Sequence, residues 1–356
     1  MEPLNLHEYE ILARENLPEM VYDYYARGAD DESTLQENRK AWGRVRFRPR
    51  VLVNVSERDL STTVMGQPVS MPVLTAPAAF NALAHPDGEL AVARAAAAAG
   101  VVDVVSTLST FSMEEIAEVS RGTRWFQLYC YRDRGITRML VERAEAAGYA
   151  ALCLTVDAPV FGRREQDIRN RFHLPLGLTM KNLASSGLGE LNASGNESAL
   201  QRYIADQLDA GLTWEVLDWL RSVTNLPLLV KGILAAEDAV IAAECGANGV
   251  IVSNHGGRQL DGGLSTCEAL PGVVDAVEGS IEVLVDGGIR RGTDVLRALA
   301  MGARAVLIGR PYLWGLAVNG ESGVSHMLQL LRTELSTSMA LAGCPAIGSI
   351  DRSLLA

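Results

Sequence analysis

Glu237-Asp238-Ala239-Val240-Ile241-Ala242-Ala243-Glu244-Cys245-Gly246-Ala247-Asn248-Gly249-Val250-Ile251-Val252-Ser253 holds the pattern that decides the fold. An alanine-rich helical stretch, Glu237 to Cys245, stops at Gly246 and leads into an apolar run, Gly249 to Ser253. Glycine just past a helix supplies the left-handed residue that ends it. A run apolar at every position, not alternating, marks a strand buried on both faces of a parallel sheet. The cadence recurs. Asp87 to Ala99 ends at Gly100 and leads into Val101 to Ser106. Met139 to Ala147 ends at Gly148 before Ala150 to Asp157, and Thr293 to Met301 ends at Gly302 before Ala305 to Gly309. Pro72 to Ala76, Trp125 to Tyr129, Leu226 to Lys231 and Ile281 to Asp286 complete eight runs. Eight strands alternating with helices predict an α/β fold of the (β/α)8 TIM-barrel type. A doubly wound sheet is the alternative, weakened because no G-x-G-x-x-G follows the first strand. Residues 1–50 read as a helical cap before the barrel. Residues 177–211, rich in Gly, Ser and Asn between the fourth and fifth strands, read as a long mobile active-site loop. Residues 1–356 are expected to form a single domain.

Composition narrows the partners. Hydrophobic residues at 48% and charged residues at 21% describe an ordinary globular chain with ample core. A net charge of −11 argues against nucleic acid or an anionic membrane as partner, so an anionic substrate must be drawn in by local arginines. The five cysteines are scattered, with no C-x-x-C pair, as expected of reduced thiols in the cytoplasm. Met1 to Asn16 lacks the apolar core of a signal peptide, and no stretch reaches the length of a membrane span.

A barrel keeps its chemistry at the C-terminal ends of its strands. Those ends offer Ala78-Ala79, Ser106, Gln127 with Tyr129, Thr155 with Asp157, Lys231, Ser253 with His255 and Arg258, Asp286 with Arg290, and Gly309-Arg310. Polar side chains on apolar strands are costly to bury unless paired or bound to a ligand. In Ser253-Asn254-His255-Gly256-Gly257-Arg258-Gln259-Leu260-Asp261 an imidazole able to take a proton precedes a guanidinium able to grip a carboxylate. The paired glycines let a flat ligand approach the backbone. Proton abstraction from a small anionic acid held against a planar cofactor follows. Asp157 could hold the imidazolium of His255, and Arg164 could supply a second guanidinium, in preference to Arg163, whose side chain faces away from the barrel mouth. Asp286-Gly287-Gly288-Ile289-Arg290 and Ile308-Gly309-Arg310 set glycine amides and arginines after the last two strands, a barrel's usual phosphate site. Lys231 has three readings: a Schiff base, a positive charge beside an electron-accepting ring, or a structural ion pair. The neighbouring Gln127, Thr155 and Ser106 favour the second. No H-E-x-x-H, G-x-S-x-G or Cys/His cluster points to a metal or serine hydrolase.

From Tyr24 to Gly309-Arg310 the chain resembles the FMN-dependent L-2-hydroxy acid oxidases and dehydrogenases. The resemblance is carried by the Ser253-to-Asp261 segment, Leu154-Thr155-Val156-Asp157 and Asp286-Gly287-Gly288-Ile289-Arg290. It implies FMN as cofactor, small 2-hydroxy acids and O2 as partners, hydrogen peroxide as product, and a homotetramer or larger homo-oligomer. It further implies that His255 is the active-site base, with Asp157 supporting its charge. Arg258 and Arg164, helped by Tyr24, would bind the substrate carboxylate, and Tyr129 the substrate hydroxyl. Lys231 would sit by the flavin N1 and C2 carbonyl. Ser106, Gln127 and Thr155 would hold the ring edge, with the Ala76-Pro77-Ala78-Ala79 backbone beneath it. Asp286, Gly288, Arg290, Gly309 and Arg310 would take the ribityl chain and phosphate, and Ser253 joins the cofactor-binding set. Ala79 resembles the oxidase branch; dehydrogenase relatives passing electrons to a quinone or other acceptor are the alternative. Plant glycolate oxidases tend to carry tryptophan in the segment where this chain reads Thr107-Leu108-Ser109; Leu108 should leave room for a substrate side chain, which favours L-lactate, with glycolate still accepted.

Overall fold

In the computed structural model of the chain, residues 2–191 and 198–356 are described. Three helices lead: α1 (Leu6–Asn16), α2 (Glu19–Ala26) and α3 (Ser33–Arg44). Then come a hairpin of β1 (Thr62–Val64) and β2 (Gln67–Val69) and eight further strands: β3 (Val73–Thr75), β4 (Asp103–Val105), β5 (Arg124–Leu128), β6 (Leu152–Thr155), β7 (Leu228–Ile233), β8 (Gly249–Val252), β9 (Glu282–Val285) and β10 (Ala305–Ile308). β3 to β10 pair in parallel in chain order, and β10 returns to β3, closing the barrel. Every expected run overlaps one strand, with β5 starting at Arg124, just before its run, and β7 continuing to Ile233, past the end of its run. The glycine stops behave as expected: Gly100 and Gly246 take φ of +67° and +80°.

The barrel interior explains where the chemistry can sit. Leu74, Val104, Trp125, Cys153, Leu229, Ile251, Leu284 and Leu307, one from each barrel strand, are buried together in one cluster. Their neighbours, such as Val73, Val105, Phe126, Leu154, Val230, Val252, Val285 and Ile308, belong to a second cluster that includes the surrounding helices. Side chains alternate between faces along a strand, so each strand feeds both cores. The hairpin was not foreseen. Val64 and Val69 join the interior cluster, and the Met65 amide donates to Glu282 at the start of β9, so the hairpin plugs the N-terminal end.

The structure adds detail to two expectations. The cap helices bury their apolar faces: Leu6, Tyr9, Val21, Tyr24, Tyr25 and Trp42 join the core cluster that includes the barrel's outer face, because a helix with one apolar face must cover it. Residues 177–211 form a long connection with structure of its own. They carry a 3-10 turn at Lys181–Ser186 and a helix at Ala199–Gln207, while residues 192–197 lie outside the described residues. The segment is tied at both flanks. Asn182 accepts from Met113 N at 2.8 Å, and Asp209 N donates to Cys130 O at 3.0 Å beside an Arg134–Asp209 ion pair. Among the described residues no helix is long and apolar enough to cross a membrane.

Candidate active site

Two residues beyond each interior apolar position lie Ala76, Ser106, Gln127, Thr155, Lys231, Ser253, Asp286 and Gly309. One further step of the same period gives Ala78, Leu108, Tyr129, Asp157, His255 and Gly288 on six of the eight strands. The inward face therefore changes from apolar to chemical within one pleat at the C-terminal mouth. There a cleft of about 1140 Å³ is lined by Tyr24, Ala76, Pro77, Ala78, Ser106, Leu108, Gln127, Tyr129, Thr155, Arg164, Lys231, His255, Arg258, Asp286, Gly288, Arg290, Gly309 and Arg310. The two expected residues that do not line it stand directly behind it. Asp157 backs His255. Ser253 is fully buried, its hydroxyl donating to Asp286 and accepting from Lys231 and the His255 amide, so it positions cleft residues and does not present a free group to a ligand.

The His255 ring meets Asp157 through Nδ1 and Oδ1 at 2.9 Å. Burial lowers the imidazole below its ordinary pKa, against the opposing pull of Asp157, so the ring is neutral and basic at pH 7. Burial raises the Asp157 carboxyl, but the pull of His255, including its hydrogen bond, and the Lys231 charge outweigh it and hold the group below its ordinary value. The carboxylate fixes the protonated nitrogen as Nδ1 and leaves Nε2 free to accept a proton. Burial also raises the Tyr129 phenol, with Asp157 adding to the effect, so Tyr129 stays a hydrogen-bond donor.

Two guanidiniums flank this pair. Arg258 lies over the Tyr24 ring, 4.9 Å from its centroid, and donates to the carbonyls of Tyr24 and Arg27. Tyr24 in turn stacks on Phe172 at 4.1 Å. Arg164 is buried over Phe161 at 3.9 Å, and burial together with the Arg258 charge pushes it down to about 9. Arg163 is largely exposed, paired with Glu165, as the choice between the two arginines anticipated. Among the described residues no carboxylate bonds to Arg164 or Arg258. Two like charges held together with no carboxylate bonded to either make a receptor for an anion.

Deeper in, Lys231 Nζ lies 2.9 Å from Ser253 Oγ and 3.3 Å from Asp286 Oδ2. Burial pulls the Lys231 ammonium down, but Asp286 and Asp157 outweigh it and hold it charged. This position, with Asp286 and Ser253 as partners, suits a charge beside a ring. At the far end Arg310 donates to the carbonyls of Tyr25, Gly256 and Arg27, and Arg290 donates to its neighbour Ile289.

Sequence reasoning missed Gln259 and Phe161. Gln259 accepts from Gly162 N and donates to the carbonyls of Asp157 and Val160, tying the two loops that carry Asp157 and Arg258. It stands in the segment already singled out, one place after Arg258. Leu200 and Ile204, from the helix within residues 177–211, also line the cleft, and nothing in their pattern announced it.

The sequence matches the FMN-dependent dehydrogenase family over residues 13–356. It is 58% identical to the L-lactate oxidase of Nostoc sp., covering 99% of this chain and 98% of that protein. It is 55% identical to glycolate oxidase 3 of Arabidopsis thaliana, covering 99% and 95%. A crystal structure of mandelate oxidase with (S)-4-hydroxymandelic acid superposes with a TM-score of 0.95 at 45% identity, covering 99% and 98%. The chain belongs to the FMN-dependent dehydrogenase family. It is an oxidoreductase, and its cofactor is FMN.

The residues present fit that cofactor. Among the described residues Arg290 Nε and Asp286 Oδ1 are buried without a hydrogen-bond partner, an arrangement that is costly unless a ligand supplies one. A methyl group added at Gly309 would meet only Ala76, at 3.8 Å, and would otherwise intrude on the cleft. Arg290, held down to about 10 by burial and the Arg39 charge, remains cationic and suits a phosphate.

Proposed function

We propose that this chain oxidises L-2-hydroxy acids to 2-oxo acids and reduces O2 to hydrogen peroxide, favouring L-lactate and accepting glycolate. The observation that carries the reading is the His255–Asp157 pair at 2.9 Å beside the buried Arg164 and the half-buried Arg258, neither bonded to a carboxylate among the described residues. FMN, when bound, supplies the acceptor for the two electrons released from the substrate carbon. Arg258 and Arg164 bind the substrate carboxylate as a two-armed clamp, and Tyr24 braces Arg258 from beneath. Tyr129 donates to the substrate hydroxyl oxygen. His255 Nε2 removes a substrate proton, and Asp157 stabilises the imidazolium that results. Lys231 holds a positive charge where the cofactor ring gains negative charge. Ser106, Gln127 and Thr155 offer neutral donors and acceptors to the ring edge above Ala76, Pro77 and Ala78. Asp286, Gly288, Arg290, Gly309 and Arg310 hold the ribityl and phosphate end. The chain works as one unit, residues 1–356, in the cytoplasm, and assembles into a homotetramer or larger homo-oligomer.

The test is the visible spectrum of the purified protein without oxygen, before and after L-lactate, and again after air is admitted. Bleaching followed by recovery supports the reading. Bleaching without prompt recovery replaces oxygen by a quinone or other acceptor, and a yellow protein indifferent to every 2-hydroxy acid overturns the substrate class.

A further inference from the structure

The loop that carries His255 is bolted to the N-terminal cap by a reciprocal amide pair. Asn38 on α3 and Asn254 are both buried. Asn38 Nδ2 donates to Asn254 Oδ1 at 2.7 Å, and Asn254 Nδ2 donates back to Asn38 Oδ1 at 2.8 Å. Most of their remaining capacity is also used. Gly257 N donates to Asn254 Oδ1 at 3.1 Å, Thr266 N to Asn38 Oδ1 at 3.3 Å, and Asn254 Nδ2 to Leu264 O at 3.1 Å. Truncating either amide would orphan buried partners on the other.

This pair sits next to backbone strain. His255 has φ of +56°, a left-handed conformation that a residue other than glycine keeps only where its surroundings enforce it. The far end of the same loop is fixed to the same helix: Asp261 accepts from Ser33 N at 3.1 Å and Thr34 N at 2.7 Å, capping α3, and Gly262 N donates to Thr34 Oγ1 at 2.9 Å. Between the two anchors the contact leaves no slack, since a Cβ at Gly257 would lie 2.6 Å from the Leu35 backbone. The loop is thus fixed to α3, outside the barrel, on both sides of His255.

We propose that Asn38 is a positioning residue for the reaction. Through Asn254 it holds His255 in the left-handed backbone conformation that places Nδ1 on Asp157 and leaves Nε2 for the substrate. The inference rests on His255 being the base, and the experiment separates the two claims. The holoenzyme forms of Asn38→Ala, Asn38→Asp, His255→Gln and Asn38→Ala/His255→Gln are mixed with L-lactate without oxygen, and the rate of flavin bleaching is read alongside FMN content. Asn38→Ala should keep FMN and lose roughly 10–100-fold in rate, the scale of a small misplacement of a catalytic group. Asn38→Asp, still able to accept from Asn254 and Thr266, should recover part of that loss, and it carries the test if the alanine variant does not fold. In the His255→Gln background Asn38→Ala should add less than about twofold, because a residue acting through another loses its effect with it. A wild-type rate in FMN-loaded Asn38→Ala overturns the proposal. So does the same loss repeated on top of His255→Gln. If His255→Gln itself turns over normally, the assignment of the base falls instead.

Discussion

Lys231 and Asp286 face each other inside the barrel, Nζ to Oδ2 at 3.3 Å, and Ser253 Oγ lies 2.9 Å from each of those atoms. The triangle is buried and adjoins the cleft, so its stability and its role in holding FMN can be measured separately. Removing one partner of a buried ion pair leaves the other charge uncompensated, which costs about 3–5 kcal/mol. Lys231→Met should therefore lower Tm by several degrees and reduce the FMN retained on purification. The double variant Lys231→Met/Asp286→Asn should regain most of the Tm, because no charge is left stranded, and should stay poor in FMN. A double variant that regains both would show that Lys231 serves the fold and not the cofactor. Scanning calorimetry and the flavin absorbance of the same samples decide it.

The pH dependence of kcat/KM follows from His255. A base acts in its neutral form, so the rate rises with pH as the imidazole loses its proton. Burial lowers that pKa below its ordinary value near 6.5, which sets the acid limb of the profile below pH 6.5. Asp157 pulls in the opposite direction, by charge and by its hydrogen bond. In Asp157→Asn the limb should consequently move to still lower pH, while the plateau falls because the imidazolium loses its support. His255→Gln should lose about 10²–10⁴-fold, the usual worth of a general base, with FMN still bound. A limb that moves to higher pH in Asp157→Asn would contradict the electrostatic assignment.

The barrel and most of the cleft were legible because one rule connects them. Apolar runs located the strands, and the rule that a barrel keeps its chemistry at their C-terminal ends picked out Lys231 and Ser253 without further information. What escaped lay outside that rule. Val64 and Val69 plug the barrel from a hairpin too short to stand out, and Leu200 reaches the cleft from a helix inside a segment whose composition suggested open loop. Ser253 shows the limit of the rule itself. Its place in the pattern is right, yet Lys231, Asp286 and the His255 amide occupy its hydroxyl, a fact about neighbours and not about sequence. Asn38 is an ordinary amide on a polar helix and gives no signal until Asn254 is placed beside it.

Arg258 should be intolerant of lysine. Its guanidinium already spends donors on the carbonyls of Tyr24 and Arg27 and rests on the Tyr24 ring, so its orientation is fixed before the substrate arrives. An ammonium cannot keep those bonds and also offer two parallel ones to a carboxylate. Loss of a charge-assisted hydrogen bond, about 1.5–3 kcal/mol, should raise KM for L-lactate roughly 10–100-fold in Arg258→Lys. Steady-state kinetics of the FMN-loaded variant check it, and an unchanged KM would remove Arg258 from the carboxylate clamp.

Leu108 sets the size of the acid. It follows β4, its amide donating to Ser106 Oγ at 3.1 Å and its carbonyl accepting from Phe80 N at 3.2 Å, so the backbone behind the side chain cannot retreat. The side chain is buried on the cleft wall, on the same lining as Phe161, Leu200 and Ile204. Lactate exceeds glycolate by one methyl group, and a fitted apolar wall rewards or penalises one methyl by about 1–3 kcal/mol. Leu108→Trp should therefore reduce the ratio of kcat/KM for L-lactate over glycolate by about 10–200-fold. The loss should fall on lactate, since glycolate has no methyl to collide with the larger ring. Leu108→Ala should shift the preference toward longer 2-hydroxy acids and weaken lactate modestly through lost contact. If the lactate-to-glycolate ratio is the same in Leu108→Trp as in the parent enzyme, the substrate side chain points elsewhere, and the helix that brings Leu200 and Ile204 becomes the wall to change.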